Sequence, residues 1–154
     1  MRKIKFKAIW FICLLSFASA LTINTINLNQ LPNNKKREGK TVVTSDDASY
    51  LRPAENFIKT GTWKDNSLGL QAHFIRPPGY GILYFLCIKI VGFDGALTLL
   101  KMIQLILFSL SVYWIFYISQ QLFKNKRIPY LIALLYGLIP FTSNFLFYTL
   151  SESI

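Results

Sequence analysis

Acidic residues are scarce in this chain: seven aspartates and glutamates stand against 17 lysines and arginines, so the formal net charge is +10. Cysteine is scarcer still, and both copies, Cys13 and Cys87, lie in apolar segments. A disulfide framework or redox motif is therefore not expected, and both thiols are predicted to be buried and free. The sequence also lacks a glycine-rich phosphate loop, zinc-ligand spacing and a nucleophile elbow, which excludes the functions that these motifs define.

Apolar residues, by contrast, are abundant. They make up 53% of the 154 residues, aromatic residues make up 16%, and the mean hydropathy is positive. A soluble domain of this size needs more polar surface. The composition and its long apolar runs therefore predict an all-α integral membrane protein. The positive charge then reflects membrane topology, and no nucleic-acid partner is expected.

The first apolar segment, Ala8–Leu28, has about the length that spans a bilayer, roughly 20 residues. The basic residues within 1–7 favour a cytoplasmic N-terminus. Residues 1–28 are therefore predicted to be a cytoplasmic tip and a first transmembrane helix, followed by an outer loop over residues 29–79. A cleaved signal peptide is the alternative, because the basic start, the apolar run and the triplet Ala18-Ser19-Ala20 have its three features. In either case the loop faces outward.

Residues 80–154 hold three further hydrophobic segments. Ala96–Phe123 and Ile128–Leu150 are long enough to span, whereas Tyr80–Phe93 is short enough to be re-entrant or interfacial. If Tyr80–Phe93 crosses the membrane, the basic cluster at 124–127 lies outside. If it only dips into the membrane, that cluster is cytoplasmic, as the positive-inside tendency prefers, and the chain end near residue 152 returns to the outer face. The second arrangement is favoured.

The outer loop contains two kinds of sequence. Residues 29–40 carry the basic run Lys35-Lys36-Arg37 and are predicted to be flexible, with the run solvated or in contact with lipid headgroups. From Ser45 the pattern predicts a short helix, because Ser45 can cap it, acids occupy its first turn and Gly61 can close it. A kink is expected at Pro53. An apolar stripe is predicted to lie along the membrane surface: Tyr50, Ala54, Phe57 and Ile58.

An acidic pair, Asp46-Asp47, begins this helix. Tyr50 follows Asp46 by four residues, so the carboxylate and the phenol share one face and could meet the same bound group. On local pattern alone, however, an acid at a helix start is more often a cap than a catalyst. The order of the surrounding motifs is what favours a reaction.

That order runs along nearly the whole chain. After the N-terminal anchor come, in turn, Asp46-Asp47 with Tyr50, Gly61-Thr62-Trp63, Arg76-Pro77-Pro78-Gly79-Tyr80, a glycine turn, a long helix ending Leu122-Phe123-Lys124, and a helix with Pro140 leading to Ser151-Glu152. This order resembles the N-terminal module of the GT-C membrane glycosyltransferases. It is most similar to the group of protein O-mannosyltransferases and bacterial lipid A aminoarabinose transferases. The resemblance implies a helical GT-C module whose outer loop contains short interfacial helices.

The resemblance also implies a reaction at the outer face of the bacterial cytoplasmic membrane. A sugar would pass from a polyprenyl-phosphate carrier to a hydroxyl of a lipid, glycan or protein, with inversion at the anomeric carbon. Asp46 corresponds to the catalytic acid of the family and would accept the proton of the acceptor hydroxyl as a general base. Asp47 corresponds to its partner, which is often glutamate in relatives.

Three further residues are expected to bind substrate. Tyr50 corresponds to the tyrosine after the acidic pair, and Glu152 resembles a second acidic position of such enzymes. Arg76 matches the basic residue before the proline pair, and its guanidinium could bind oxygens of the leaving phosphate in a forked geometry, although a headgroup contact is an equal alternative. No cofactor is assigned, but Asp46, Asp47 and Glu152 could hold a divalent metal if Glu152 faces outward.

Two other interpretations remain open. A non-enzymatic membrane protein, such as an assembly factor or a transporter fragment, would explain the hydrophobicity but not the order of motifs. The family resemblance also leads us to expect further spans beyond residue 154. The polypeptide by itself is therefore expected to be inactive, either as a truncated part of an enzyme or as a remnant.

Overall fold

The computed structural model describes residues 6–44, 47–64, 77–144 and 146. These residues are mostly helical, as the composition predicts. The elements are α1 Phe6–Gln30, β1 Lys36–Arg37, β2 Thr41–Val42, α2 Asp47–Thr60, α3 Pro78–Leu122, α4 Ile128–Leu138 and α5 Pro140–Asn144. They form two compact units. The helix unit contains the described residues of 1–27 and 104–146, and the loop unit contains those of 28–103.

Two helices, α1 and α3, are long and apolar enough to cross a membrane, by length and composition. α1 extends the predicted segment Ala8–Leu28 by two residues at each end. α3 joins two predicted segments, with one non-helical residue between them: Gly92, at φ 74° and ψ 176°. Glycine adopts positive φ without the steric cost of a Cβ. We call residues 78–91 the first arm of α3 and residues 93–122 the second arm.

The segment predicted over Ile128–Leu150 is interrupted. α4 ends at Leu138, Ile139 is extended at φ −67° and ψ 118°, and α5 begins at Pro140. Proline has no N–H to donate within a helix and disfavours helical backbone at the residue before it. Pro140 therefore ends α4 and begins a separate short helix.

The basic stretch of the loop is predicted to be flexible, but the structure shows a β-hairpin there. β1 and β2 pair antiparallel, with Arg37 opposite Thr41. The turn between them places Glu38 and Gly39 at φ 51° and 68°, and the Lys40 N–H donates to the Arg37 carbonyl at 2.9 Å. Two consecutive residues of positive φ form the tight turns that suit the twist of paired strands. The hairpin therefore fixes the direction in which Arg37 leaves the backbone.

α2 confirms the helix predicted after the acidic pair, and Gly61 follows it at φ 73°. The expected kink at Pro53 does not interrupt the helix. The predicted membrane-facing stripe is wrong in part, because Tyr50 and Ala54 are buried in the core of the loop unit. Their packing partners lie on the first arm of α3, which the local pattern of α2 could not indicate. Ser45, the predicted cap, lies outside the described residues.

The helix unit is held by a small apolar core and by polar contacts of short side chains. Cys13 is buried there with Ile9, Val112, Phe116 and Ala133, and both cysteines are free and buried, as predicted. Asn24 is 2% exposed. Its Nδ2 donates to the carbonyl oxygens of Ala20 at 2.8 Å and Ser143 at 2.7 Å. This side chain therefore joins α1 to α5.

Gly137→Ala is expected to destabilise the helix unit. A Cβ at Gly137 would overlap Ser16 Oγ and lie 3.2 Å from Val112 Cγ2. Overpacking of this kind costs about 1–3 kcal/mol. The measurement is the free energy of unfolding in mixed micelles during SDS titration. Gly79→Ala is the control, because a Cβ there meets nothing within 4 Å, and an equal loss in both variants would contradict this packing.

Candidate functional site

The structure describes two of the five predicted site residues. Asp47 and Tyr50 lie in α2, whereas Asp46, Arg76 and Glu152 lie outside the described residues. The contacts of Asp47 and Tyr50 therefore define the part of the candidate site that can be built from the structure.

Asp47 is the first residue of α2 and forms an ion pair with Arg37. Arg37 Nε donates to Asp47 Oδ2 at 2.8 Å, and the two side chains are 25% and 3% exposed. A carboxylate in the first turn is also favoured by the helix dipole. Removing one partner of a buried pair leaves an uncompensated charge and costs about 3–5 kcal/mol, so a value towards the lower end fits this partly exposed arginine. The ion pair therefore links the hairpin to the start of α2.

Glu55 and Tyr84 extend the ion pair into a polar cluster, which we define as Arg37, Asp47, Glu55 and Tyr84. Tyr84, on the first arm of α3, is 2% exposed, and its hydroxyl interacts with the Glu55 side chain. Burial by itself lowers the pKa of Arg37, but the hydrogen bond and charge of Asp47, with the charge of Glu55, outweigh burial and raise that pKa above its usual value. The charged guanidinium therefore joins β1 to α2.

Tyr50 lies in the apolar core beside this polar cluster. It is 4% exposed, and its ring meets the ring of Tyr80 edge to face, with centroids 5.7 Å apart and an interplanar angle of 64°. Aromatic pairs of this geometry contribute roughly 0.5–1.5 kcal/mol beyond their buried area. Tyr50 therefore fastens the first turns of α2 to the start of α3.

Gly81 permits the close approach of α2 and α3. A Cβ at this position would lie 2.9 Å from the Tyr50 carbonyl oxygen and 3.1 Å from Trp63 Cζ2. Trp63 also contacts Phe57 and Phe85, with ring centroids 5.8 Å and 6.4 Å away. Residues from three of the sequence motifs, at Tyr50, Trp63 and Tyr80, therefore pack within one unit.

A second contact ties the hairpin to α3. Lys40 Nζ donates a hydrogen bond to the carbonyl oxygen of Asp94, two residues after the break at Gly92. The same ammonium lies 3.7 Å from Glu38 Oε2. The tight turn of the hairpin is therefore held against the joint between the two arms of α3.

The described ranges contain no group of three or more histidine, cysteine or acidic side chains that could hold a metal ion. Of the three carboxylates proposed from the sequence as metal ligands, two, those of Asp46 and Glu152, lie outside those ranges. Among them only Asp47 has a described position, and its Oδ2 is taken by Arg37.

Comparison with known proteins finds no matching family model, no matching curated protein and no matching solved structure.

Sequence reasoning missed three members of the polar cluster. Arg37 was assigned with its basic neighbours to solvent or headgroups, and Glu55 and Tyr84 drew no attention. Asp47 and Glu55 are eight residues apart, which places them near one face of a helix, but only the fold shows what that face meets. The two consecutive turn residues Glu38-Gly39 are the one local signal that indicates a hairpin beside Arg37.

Tyr84→Phe is expected to destabilise the loop unit by about 1–3 kcal/mol, because the buried hydroxyl that interacts with the Glu55 side chain is lost. The measurement is the free energy of unfolding in micelles. Tyr117→Phe is the matched control, since Tyr117 is 46% exposed and its ring contact with Trp114 survives the change. A loss no larger than that of the control would show that the hydroxyl contributes nothing.

Proposed function

We propose that the chain belongs to an inverting GT-C membrane glycosyltransferase that moves a sugar from a polyprenyl-phosphate carrier to a hydroxyl acceptor at the outer membrane face. The order of sequence motifs supports this proposal. The observation that carries it furthest is the packing of Tyr50, Trp63 and Tyr80, which belong to successive motifs, in one unit that includes the first part of α3, a helix long and apolar enough to span a bilayer.

In the proposed reaction Asp46 is the general base. It accepts the proton of the acceptor hydroxyl as the oxygen attacks the anomeric carbon, and the carrier phosphate leaves from the opposite face. A positioned base contributes about 100- to 10,000-fold to such a step. Arg76 would balance the charge of the leaving phosphate. Glu152 would bind substrate or, with the acidic pair, a divalent metal.

Asp46→Asn tests this assignment in the protein made from its complete reading frame. The protein is reconstituted in lipid nanodiscs with labelled polyprenyl-phosphate hexoses and pentoses, and sugar transfer is measured. We expect Asp46→Asn to lower transfer at least about 100-fold, because an amide cannot accept the proton, without changing membrane insertion.

Asp94→Asn is the matched control for this test. The Asp94 side chain is exposed, and its backbone carbonyl, rather than its carboxylate, contacts Lys40. Transfer by Asp46→Asn at more than half the unsubstituted rate would exclude Asp46 as the base. No transfer by the unsubstituted protein would favour the non-enzymatic alternative.

The proposed membrane arrangement places the first arm of α3 within the outer leaflet. Residues 78–91 form a helix about 21 Å long at 1.5 Å per residue, which is shorter than the hydrocarbon core of about 30 Å. The Lys40 contact at Asp94 holds the end of this arm against the hairpin of the outer loop. An exposed apolar stripe along the arm would meet lipid: Ile82, Leu86 and Ile90.

Single cysteines distinguish this arrangement from a fully crossing arm. In a background with Cys13 and Cys87 replaced by alanine, exposed positions 35, 94 and 126 are labelled with an impermeant maleimide. We expect positions 35 and 94 to be labelled from the outer side and position 126 from the cytoplasmic side. A cysteine at position 152 should again be labelled from outside.

A crossing arm gives the opposite result at three of these four positions. Position 94 would be labelled from the cytoplasmic side and position 126 from outside, while position 35 serves as the unchanged reference. Labelling of position 152 from the cytoplasmic side alone would also contradict the re-entrant arrangement.

A further inference from the structure

We propose that Arg37 and Asp47 are positioning residues of the acidic motif, and that Asp47 does not itself react. The inference rests on the proposed glycosyl transfer, and it narrows the reacting carboxylate of the pair to Asp46. Its basis is the ion pair at the start of α2 and the contacts that brace that pair from two other elements.

The Asp47 carboxylate is not accessible to an acceptor hydroxyl. A general base must come within about 2.6–3.2 Å of the hydroxyl that it deprotonates. The Asp47 side chain is 3% exposed, and its Oδ2 already accepts a hydrogen bond from Arg37 at 2.8 Å. A carboxylate so enclosed offers an acceptor hydroxyl no open approach. Its charge is instead used within the protein.

The charge of Arg37 is used within the protein rather than for binding the carrier phosphate. The Arg37 guanidinium interacts with two carboxylates, those of Asp47 and Glu55. The Asp47 carboxylate, 2.8 Å from Nε, balances the charge of this guanidinium and leaves it less attraction for a further anion. Arg37 therefore holds its own carboxylate rather than a substrate phosphate.

Two further contacts hold the elements that carry the ion pair against α3. Arg37 extends from a hairpin whose Lys40 contacts the carbonyl of Asp94, and α2 is tied to the first arm of α3 by the ring contact between Tyr50 and Tyr80. The ion pair closes a circuit of β1, α2 and α3. An ordinary helix cap satisfies only the backbone of its own helix. This pair also fixes where the helix begins relative to the hairpin, directly after Asp46 in the sequence.

Kinetics of the complete protein in nanodiscs test the inference. Rates are normalised to folded protein measured by size-exclusion chromatography, so that lost stability does not count as lost catalysis. Arg37→Gln is expected to lower kcat roughly 100-fold, the cost of a misplacement of about 1 Å. The KM for the polyprenyl-phosphate sugar should stay within about twofold, because Arg37 does not bind it. Arg37→Lys, which keeps the charge, should recover part of kcat.

The double variant Arg37→Gln/Asp47→Asn decides the role of Asp47. The side-chain amides at positions 37 and 47 of this variant leave no unpaired charge and can hydrogen-bond to each other. We therefore expect its kcat to be at least about tenfold above that of Arg37→Gln. Lys35→Gln is the matched control, since it removes a charge from the same loop at an exposed position and should leave kcat unchanged.

Three outcomes would overturn the inference. A double variant as inactive as Asp47→Asn alone would make Asp47 a reacting group, and a raised KM with unchanged kcat in Arg37→Gln would make Arg37 a phosphate receptor. In both cases the proposed function survives. If the unsubstituted protein transfers no sugar, the proposed function and this inference fail together.

Discussion

The ion pair between Arg37 and Asp47 is the constraint on which the loop unit depends. Both groups leave water on folding, and each is tolerated in its place only because the other is 2.8 Å away. The pair is effective because the backbone on either side is already fixed, by the two positive-φ residues of the hairpin turn and by the first turn of α2. The Tyr84 hydroxyl, on α3, also interacts with the Glu55 side chain of α2. The acidic motif therefore begins α2 at a place set by three elements.

This constraint gives the proposed chemistry a physical basis. A general base works only if it is held near the reacting hydroxyl. The edge-to-face contact of Tyr50 with Tyr80 and the close approach at Gly81 hold the same turn against α3 from the apolar side. Under the proposal, the two neighbouring acids have different roles: Asp47 is held in the fold, and Asp46 is the reacting group.

The helices could be predicted from the sequence because their signals are local. Hydropathy and length place α1 within two residues of its ends, and glycine and proline chemistry explains the breaks at Gly92 and Ile139, although only the first was expected. The ion pair could not be predicted in this way. Arg37 is ten residues from Asp47, and its basic neighbours suggested a solvated strip. The hairpin turn, and the surface that α2 and α3 form, decide which side chain of Lys35-Lys36-Arg37 points inward.

Hydrogen exchange of the α2 amides tests the central claim, that the Arg37 ion pair holds the start of this helix. In the unsubstituted protein and in Lys35→Gln, the amides of Leu51, Arg52, Ala54 and Glu55 should be equally protected. In Arg37→Gln their protection should fall roughly 100-fold, the equivalent of losing one partner of a buried pair, while the amides of α4 keep theirs. Unchanged protection of these four amides in Arg37→Gln would contradict the account.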